Sequence, residues 1–211
     1  MKVLVTEARP QLAALSVADP VDAWAALGFA VEADALTLGG VRITLGVAGT
    51  GIVSWSLSGL AGDPGQLDGL PTTAAPPPVS ATAPAQPNGA IGVDHVVVLT
   101  PDFDRTAAAF AAAGMPLRRE RTVGSGPDAF RQGFRRLGPA IAELVEGRRL
   151  PAGTARFWGL TLIVSDIDAL AARLGPELLS TPKDAVQPGR RIATLRTAAG
   201  LSTAVAFMNP E

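Results

Sequence analysis

The chain contains no cysteine and a single histidine. Without cysteine there can be no disulfide, thiolate metal site or cysteine nucleophile, and the redox compartment is left unconstrained. With one histidine, once His95 is paired with Glu143 no second imidazole is left for a serine or threonine triad. Excess charge is also lacking: the formal net charge is −1, which argues against a general nucleic-acid or acidic-membrane partner. No uncharged apolar run reaches the ~18 residues of a membrane-spanning helix. Lys2 is followed by Glu7, Arg9 and Pro10 rather than by an unbroken apolar stretch, so no signal peptide of ordinary form is read. The expected location is cytoplasmic.

What is present fits a folded chain. Hydrophobic residues make up 47% and charged residues 18% of 211, enough for one large domain or two small ones and too apolar for disorder. Charge is unevenly divided, with 3 basic and 7 acidic side chains before residue 91 against 15 and 12 after it. Between them, residues 71–90 hold six prolines and no charge, the composition of a semi-extended linker.

The stretch Gly92 to Gly114 organises the rest. Val93 to Leu99 is β-branched and too short for a buried helix. Thr100-Pro101-Asp102 supplies a helix start, and Gly114 a stop. The pattern returns 64 residues later: Asp102-Phe103-Asp104 overlays Asp166-Ile167-Asp168, which places Val98 on Leu162 and His95 on Gly159. Each copy continues into about three strands, the last being Pro139 to Val145 and Leu201 to Phe207. A weaker copy precedes the linker: a strand at Leu12 to Val17, a helix from Asp19-Pro20 to Gly28, short strands turning at Gly39-Gly40, and a strand from Ile52 to Leu60. It reads as a reduced module with the stub of another.

On these residues, 91–211 resembles the vicinal oxygen chelate superfamily, the glyoxalase, bleomycin-resistance and extradiol dioxygenase group. The resemblance implies an α+β fold of paired βαβββ modules, 91–150 and 151–211, forming a curled mixed sheet. Residues 1–70 would be a reduced N-terminal module and 71–90 a linker. It also implies metal-ligand positions at His95 and Glu143 in one module and at Gly159 and Val205 in the other. Only His95 and Glu143 can ligate, so half of the usual set is present. A third ligand would have to be Asp94, Glu146 or a residue of another subunit.

Strand alternation, with His95 and Glu143 facing inward, places His95, Val97, Leu99, Ile141, Glu143, Val145, Gly159, Thr161, Ile163, Thr203, Val205 and Phe207 on one side. That is a mostly apolar wall with few polar groups, as in small-molecule sites. The expected ligand-binding residues are His95, Val97, Glu143, Thr161, Thr203 and Phe207. The leading functional expectation is a protein that binds a small, largely apolar molecule in the cup, with no cofactor required, though a divalent metal is admitted. The alternative is a metal-dependent lyase or dioxygenase-like enzyme. Dimerisation through the sheets is a third course. The basic run from Arg118 to Arg136 reads as a solvated outer face over a packed face bearing Phe130 and Phe134. Arg190, Arg191, Arg196 and Lys183 read as an oxyanion clamp or a charged hairpin edge.

Overall fold

The computed structural model describes residues 9–76 and 84–210. The centre of the expected linker and the N-terminal residues used for the leader reading lie outside that range. Two sheets account for nearly all the secondary structure. The first is built from β1 (Gln11–Val17), β2 (Ala35–Leu38), β3 (Val41–Thr44), β4 (Ile52–Ser58), β5 (Gln66–Leu67) and β6 (Leu70–Ala74), in the order β2-β3-β1-β4-β6-β5, with helix α1 (Val21–Ala26).

The second sheet has eight strands: β7 (Ala90–Thr100), β8 (Arg119–Val123), β9 (Phe130–Leu137), β10 (Ala140–Glu146), β11 (Arg156–Val164), β12 (Lys183–Asp184), β13 (Arg191–Thr194) and β14 (Ala204–Met208). Their order is β12-β13-β14-β11-β7-β10-β9-β8, and the helices are α2 (Phe103–Ala112) and α3 (Ile167–Leu174). The wiring of its two halves matches. β10 runs parallel to β7 and β14 parallel to β11, while β7 and β11 pair antiparallel at the centre. Each helix starts where the sequence puts a carboxylate. Asp102 accepts from the Arg105 amide, and Asp166 from the Asp168 and Ala169 amides, which satisfies orphan donors of the first turn.

The first sheet repeats this plan with parts missing. β3 is parallel to β1, β6 is parallel to β4, and β1 pairs antiparallel with β4. β1 to β3 make a module short of one strand, and between β4 and β5 no helix forms. The stub is therefore a real β-unit. The proline-rich stretch also departs from expectation. It is strand as far as Ala74, where the exposed Pro71 pairs with Gln66 of the short strand β5, a ladder position proline tolerates. Further on, the buried Gln86 side chain accepts from the Ala30 amide, and that of Asn88 donates to the Leu27 carbonyl. The end of this segment is thus fastened to the first half.

One apolar cluster joins the two halves. Trp55 of β4 lies 6.0 Å from Phe110 of α2 and 5.2 Å from Phe157 of β11, ring centre to ring centre, and Phe29 lies 6.3 Å from Phe207 of β14. Val96, Val98, Ala142, Leu144, Leu160, Leu162, Val205 and Phe207 of the second sheet face this core. The opposite face of that sheet is left open, and the site lies there.

Candidate functional site in the open face of the second sheet

His95 owes its setting to a β-bulge. It pairs with Thr161 of β11, but the next pair is Val93 with Leu162, which leaves Asp94 as an extra residue. Bulges re-aim side chains, and here Asp94 and His95 both reach the open face, where they line a cavity of about 1040 Å³. Ile91, Phe134, Ile141, Ile163, Ile192 and Met208 supply its apolar lining.

His95 sits among three partners. Nδ1 is 2.7 Å from Asp94 Oδ2, and Nε2 is 3.0 Å from Thr161 Oγ1 and 3.3 Å from Glu143 Oε2. The other Asp94 oxygen makes a 2.7 Å ion pair with the buried Arg190, whose Nε donates to the Asn209 carbonyl. Glu143 in turn accepts from Gln132 Nε2 at 2.7 Å, and Gln132 accepts from Arg121 Nε at 2.8 Å. A continuous polar line therefore crosses the sheet from Asn209 to Arg121. Burial alone would push Asp94 up, but the hydrogen bond with His95 and the Arg190 guanidinium outweigh it and hold that carboxyl below its ordinary range. Burial pushes Glu143 up, with the charges of His95 and Arg121 opposing.

These directions order the protons. An ionised Asp94 can only accept, so it keeps a proton on Nδ1 and leaves Nε2 of a neutral imidazole as an acceptor. Thr161 can donate to it. Nε2 and the Glu143 carboxyl lie 3.3 Å apart and converge on one spot. Such a cluster can hold a polar group of a ligand by donating or accepting at one spot.

Not all of the expected wall is here. His95, Glu143 and Thr161 meet, and Val97 lies one step along β7 beside Glu143. Phe207 and Val205 face the core instead, and Phe207 is fully buried near Phe29. Thr203 is buried at the contact with the first half, its amide donating to Asp19. The parallel register sets Gly159 against Ala204 and Thr161 against Ala206, so Ala204, Ala206 and Met208 share the open face. By the same register the counterpart of Glu143 is Ala206, not Val205.

The arginine run is also inverted relative to expectation. Arg131 lies 4.1 Å over the ring of Phe103 and pairs with Asp104 and Glu120, while Arg135 is buried and donates to the Pro116 carbonyl. Gln132, Phe134 and Arg136 take the open face. Because residues two apart share a face, the sequence separates the two sets but does not say which is inside. Arg121, Gln132, Phe134 and Met208 were not singled out by the sequence as ligand-facing, and only the alternation of β9 and the true register of β14 reveal them. A shallower depression of about 830 Å³ beside Phe130, Glu146 and Leu150 holds none of the His95 network.

The donor set does not suit a metal. Both nitrogens of His95 are engaged, Asp94 is tied to Arg190, and no group of three or more carboxylate or imidazole ligands occurs among the described residues. The second module offers Gly159 and Ala206. A side chain at Gly159 would also collide with the backbone oxygen of Ala204. Metal sites need three protein ligands or more, supported by groups around them, and this one supplies two that are already satisfied by each other. No helix among the described residues is long and apolar enough to cross a membrane.

No protein-family model matches the chain, and no curated protein matches it in sequence. Solved structures do match in shape. A mutant of 4-hydroxymandelate synthase from Streptomyces coelicolor is 16% identical with a TM-score of 0.63, covering 95% of this chain and 92% of that one. Methylmalonyl-CoA epimerase from Mycobacterium tuberculosis is 19% identical with a TM-score of 0.48, covering 63% and 94%. At such identities a likeness speaks for the fold alone, and the first, which spans nearly the whole chain, agrees with the strand wiring seen here. The paired modules of both sheets and this match give the chain the vicinal oxygen chelate fold.

Proposed function

We propose that the open face of the second sheet binds a small organic molecule without a metal ion. The ligand's apolar body would lie on Ile141, Ile163, Phe134 and Met208, with a polar handle at His95, Thr161 and Glu143. The observation that carries this reading is the cavity over the second sheet, where apolar side chains of β9, β10, β11 and β14 flank the polar cluster of His95 and Glu143 and basic side chains line the rim. Binding sites have that make-up, whereas a surplus polar cluster on a closed core would be satisfied internally and leave no space. In this arrangement the residues bind and orient. Asp94 fixes the imidazole, Arg190 fixes Asp94, and the handle meets Thr161 and Glu143 where they converge on Nε2.

Two measurements test the reading. Thr161→Val keeps the volume of the side chain and removes its hydroxyl; it should weaken a ligand found by screening, while Arg131→Ala, on the other face, should not. Metal analysis after dialysis against zinc, iron, manganese and nickel should find no stoichiometric ion. One equivalent retained, and lost in His95→Ala, would replace this reading with a metal-dependent enzyme.

A further inference from the structure

We infer that the molecule held in this cup is an organic anion, its oxyanion bound by arginines at the β8–β9 edge and its far end reaching His95. The inference rests on the binding reading above and adds the chemical class of the ligand.

The register of the sheet lays out three rows across the open face. Arg136, Ile141, His95 and Thr161 stand side by side on β9, β10, β7 and β11. Arg119, Phe134, Glu143 and Val97 form the next row, on β8, β9, β10 and β7. Arg121, Gln132, Val145 and Leu99 form the third. Each row starts with an arginine at the edge and passes inward over apolar side chains; the first two also reach His95 and Glu143. Alternation gives the reverse face of β8 to Glu120, which pairs there with Arg131.

Placing like charges side by side on one sheet face is unfavourable. Asp94, Glu143 and Asp184 line the same cavity, but among the described residues no carboxylate comes within ion-pair distance of Arg118, Arg119, Arg121 or Arg136, nor of Lys183 across the cavity. All five line the cavity. Arg121 is the most organised of them. Its Nε donates to Gln132, its guanidinium lies 5.3 Å over the ring of Phe134, and among the described residues no partner engages its two Nη groups. A guanidinium anchored at one edge and stacked on an aromatic face loses little freedom on meeting a carboxylate or phosphate, and its fork matches either.

The rows also set a size. Neighbouring strands lie about 4.8 Å apart, so β9 and β7 are separated by roughly 10 Å, a span the reach of Arg136 shortens. One ring or a short chain fills it. The ligand class is therefore a small carboxylic acid or phosphate monoester with an apolar body of that length.

The test uses the full chain, amide NMR spectra and four probes: phenylacetate, its neutral analogue phenylacetamide, phenyl phosphate and inorganic phosphate. Phenylacetate or phenyl phosphate should shift the amides of Arg121, Ile141 and Thr161, and bind on the order of tenfold or more tightly than the amide, the scale of one charge-assisted contact. Whichever of the two binds better assigns the oxyanion, and inorganic phosphate should compete. Arg121→Met should remove the advantage of the acid while leaving phenylacetamide binding intact, and Arg131→Met should change neither. Equal binding of acid and amide at the cup would overturn the inference and leave the cup reading standing, as would an advantage that survives both Arg121→Met and the double variant Arg119→Met/Arg136→Met. Failure of every probe to shift the cup amides would take down the binding reading itself.

Discussion

Two carboxylates separated by one imidazole respond to their surroundings in opposite senses, and each sense has a consequence for stability. Asp94 is held below its ordinary range, so the stability it contributes is present above its unfolded pKa and is lost as pH falls toward the folded one. Glu143 is raised, so from the ordinary carboxylate range up to its folded value the native chain keeps a proton that the unfolded chain has released. Stability then falls as pH rises through that window. Glu143→Gln cannot titrate and should gain on the wild type across it, with urea unfolding at a series of pH values as the check; parallel curves for both proteins would contradict the assignment. Asp94→Asn should behave very differently, because it leaves the buried Arg190 without its counter-charge. A loss of about 3–5 kcal/mol is expected at neutral pH, and one under about 1 kcal/mol would mean that water reaches Arg190. At this scale the sequence was partly informative. His95 and Glu143 stood out as the one pair able to do polar chemistry, and Thr161 followed by steps of two. Arg190 was read as an oxyanion clamp or hairpin edge, not as the buried partner of Asp94, and Gln132 was not singled out, since the contacts that matter to them are 96 and 11 residues away and depend on strand order.

Elements were easier to read than the faces they present. The two strand-helix units, their Asp102 and Asp166 caps and the turns that follow come from local chemistry, and the structure has them where the residues put them. Faces depend on register, and register is disturbed three times along β11, at Trp158 and opposite it at Asp94 and Ile91. Alternation along β14 anchored on Val205 as the counterpart of Glu143 moved Val205 and Phe207 to the wrong side, a slip of one residue being enough. Gly159 shows why the bulge at Trp158 cannot be repaired by substitution. An added Cβ there would meet the Ala204 carbonyl oxygen of the adjoining strand, which is backbone and has little room to yield. Gly159→Ala should therefore cost about 1–3 kcal/mol by chemical denaturation. Gly159→His should fail to bring in a metal for the same reason, and a folded Gly159→His variant retaining one equivalent of zinc would show that the strand pair is softer than its contacts imply.

The whole molecule is held as one unit by features that no local pattern announces. Asp19, at the start of the first helix, reads from sequence as an ordinary cap. It is instead fully buried and turned toward the second half, where it accepts from the Ser202 amide and hydroxyl, both at 2.6 Å, and from the Thr203 amide at 3.1 Å. Asp68 makes a second tie, accepting from Arg105 Nε at 2.7 Å and from the Thr106 hydroxyl at 2.5 Å. Between these ties runs the shared cluster of Trp55, Phe110, Phe157, Phe29 and Phe207. The first sheet has lost a strand from each module and the helix from the second, and the surface so uncovered is closed by the second sheet and its helices. Neither half then has a reason to persist when the other opens, and unfolding should be a single step. The buried indoles of Trp24 and Trp55 report on the first half, and the amides of β7 and β11 on the second. Their urea midpoints should coincide by fluorescence and by NMR. Asp19→Ala leaves the buried Thr203 amide without its acceptor, at about 1–3 kcal/mol, while the exposed Ser202 can turn to water. It should lower both midpoints together, by the equivalent of that loss. If the tryptophan signal were to move to lower urea while β7 and β11 stayed in place, the first half would be an appendage, and the core shared by the two would be contributing to one of them alone.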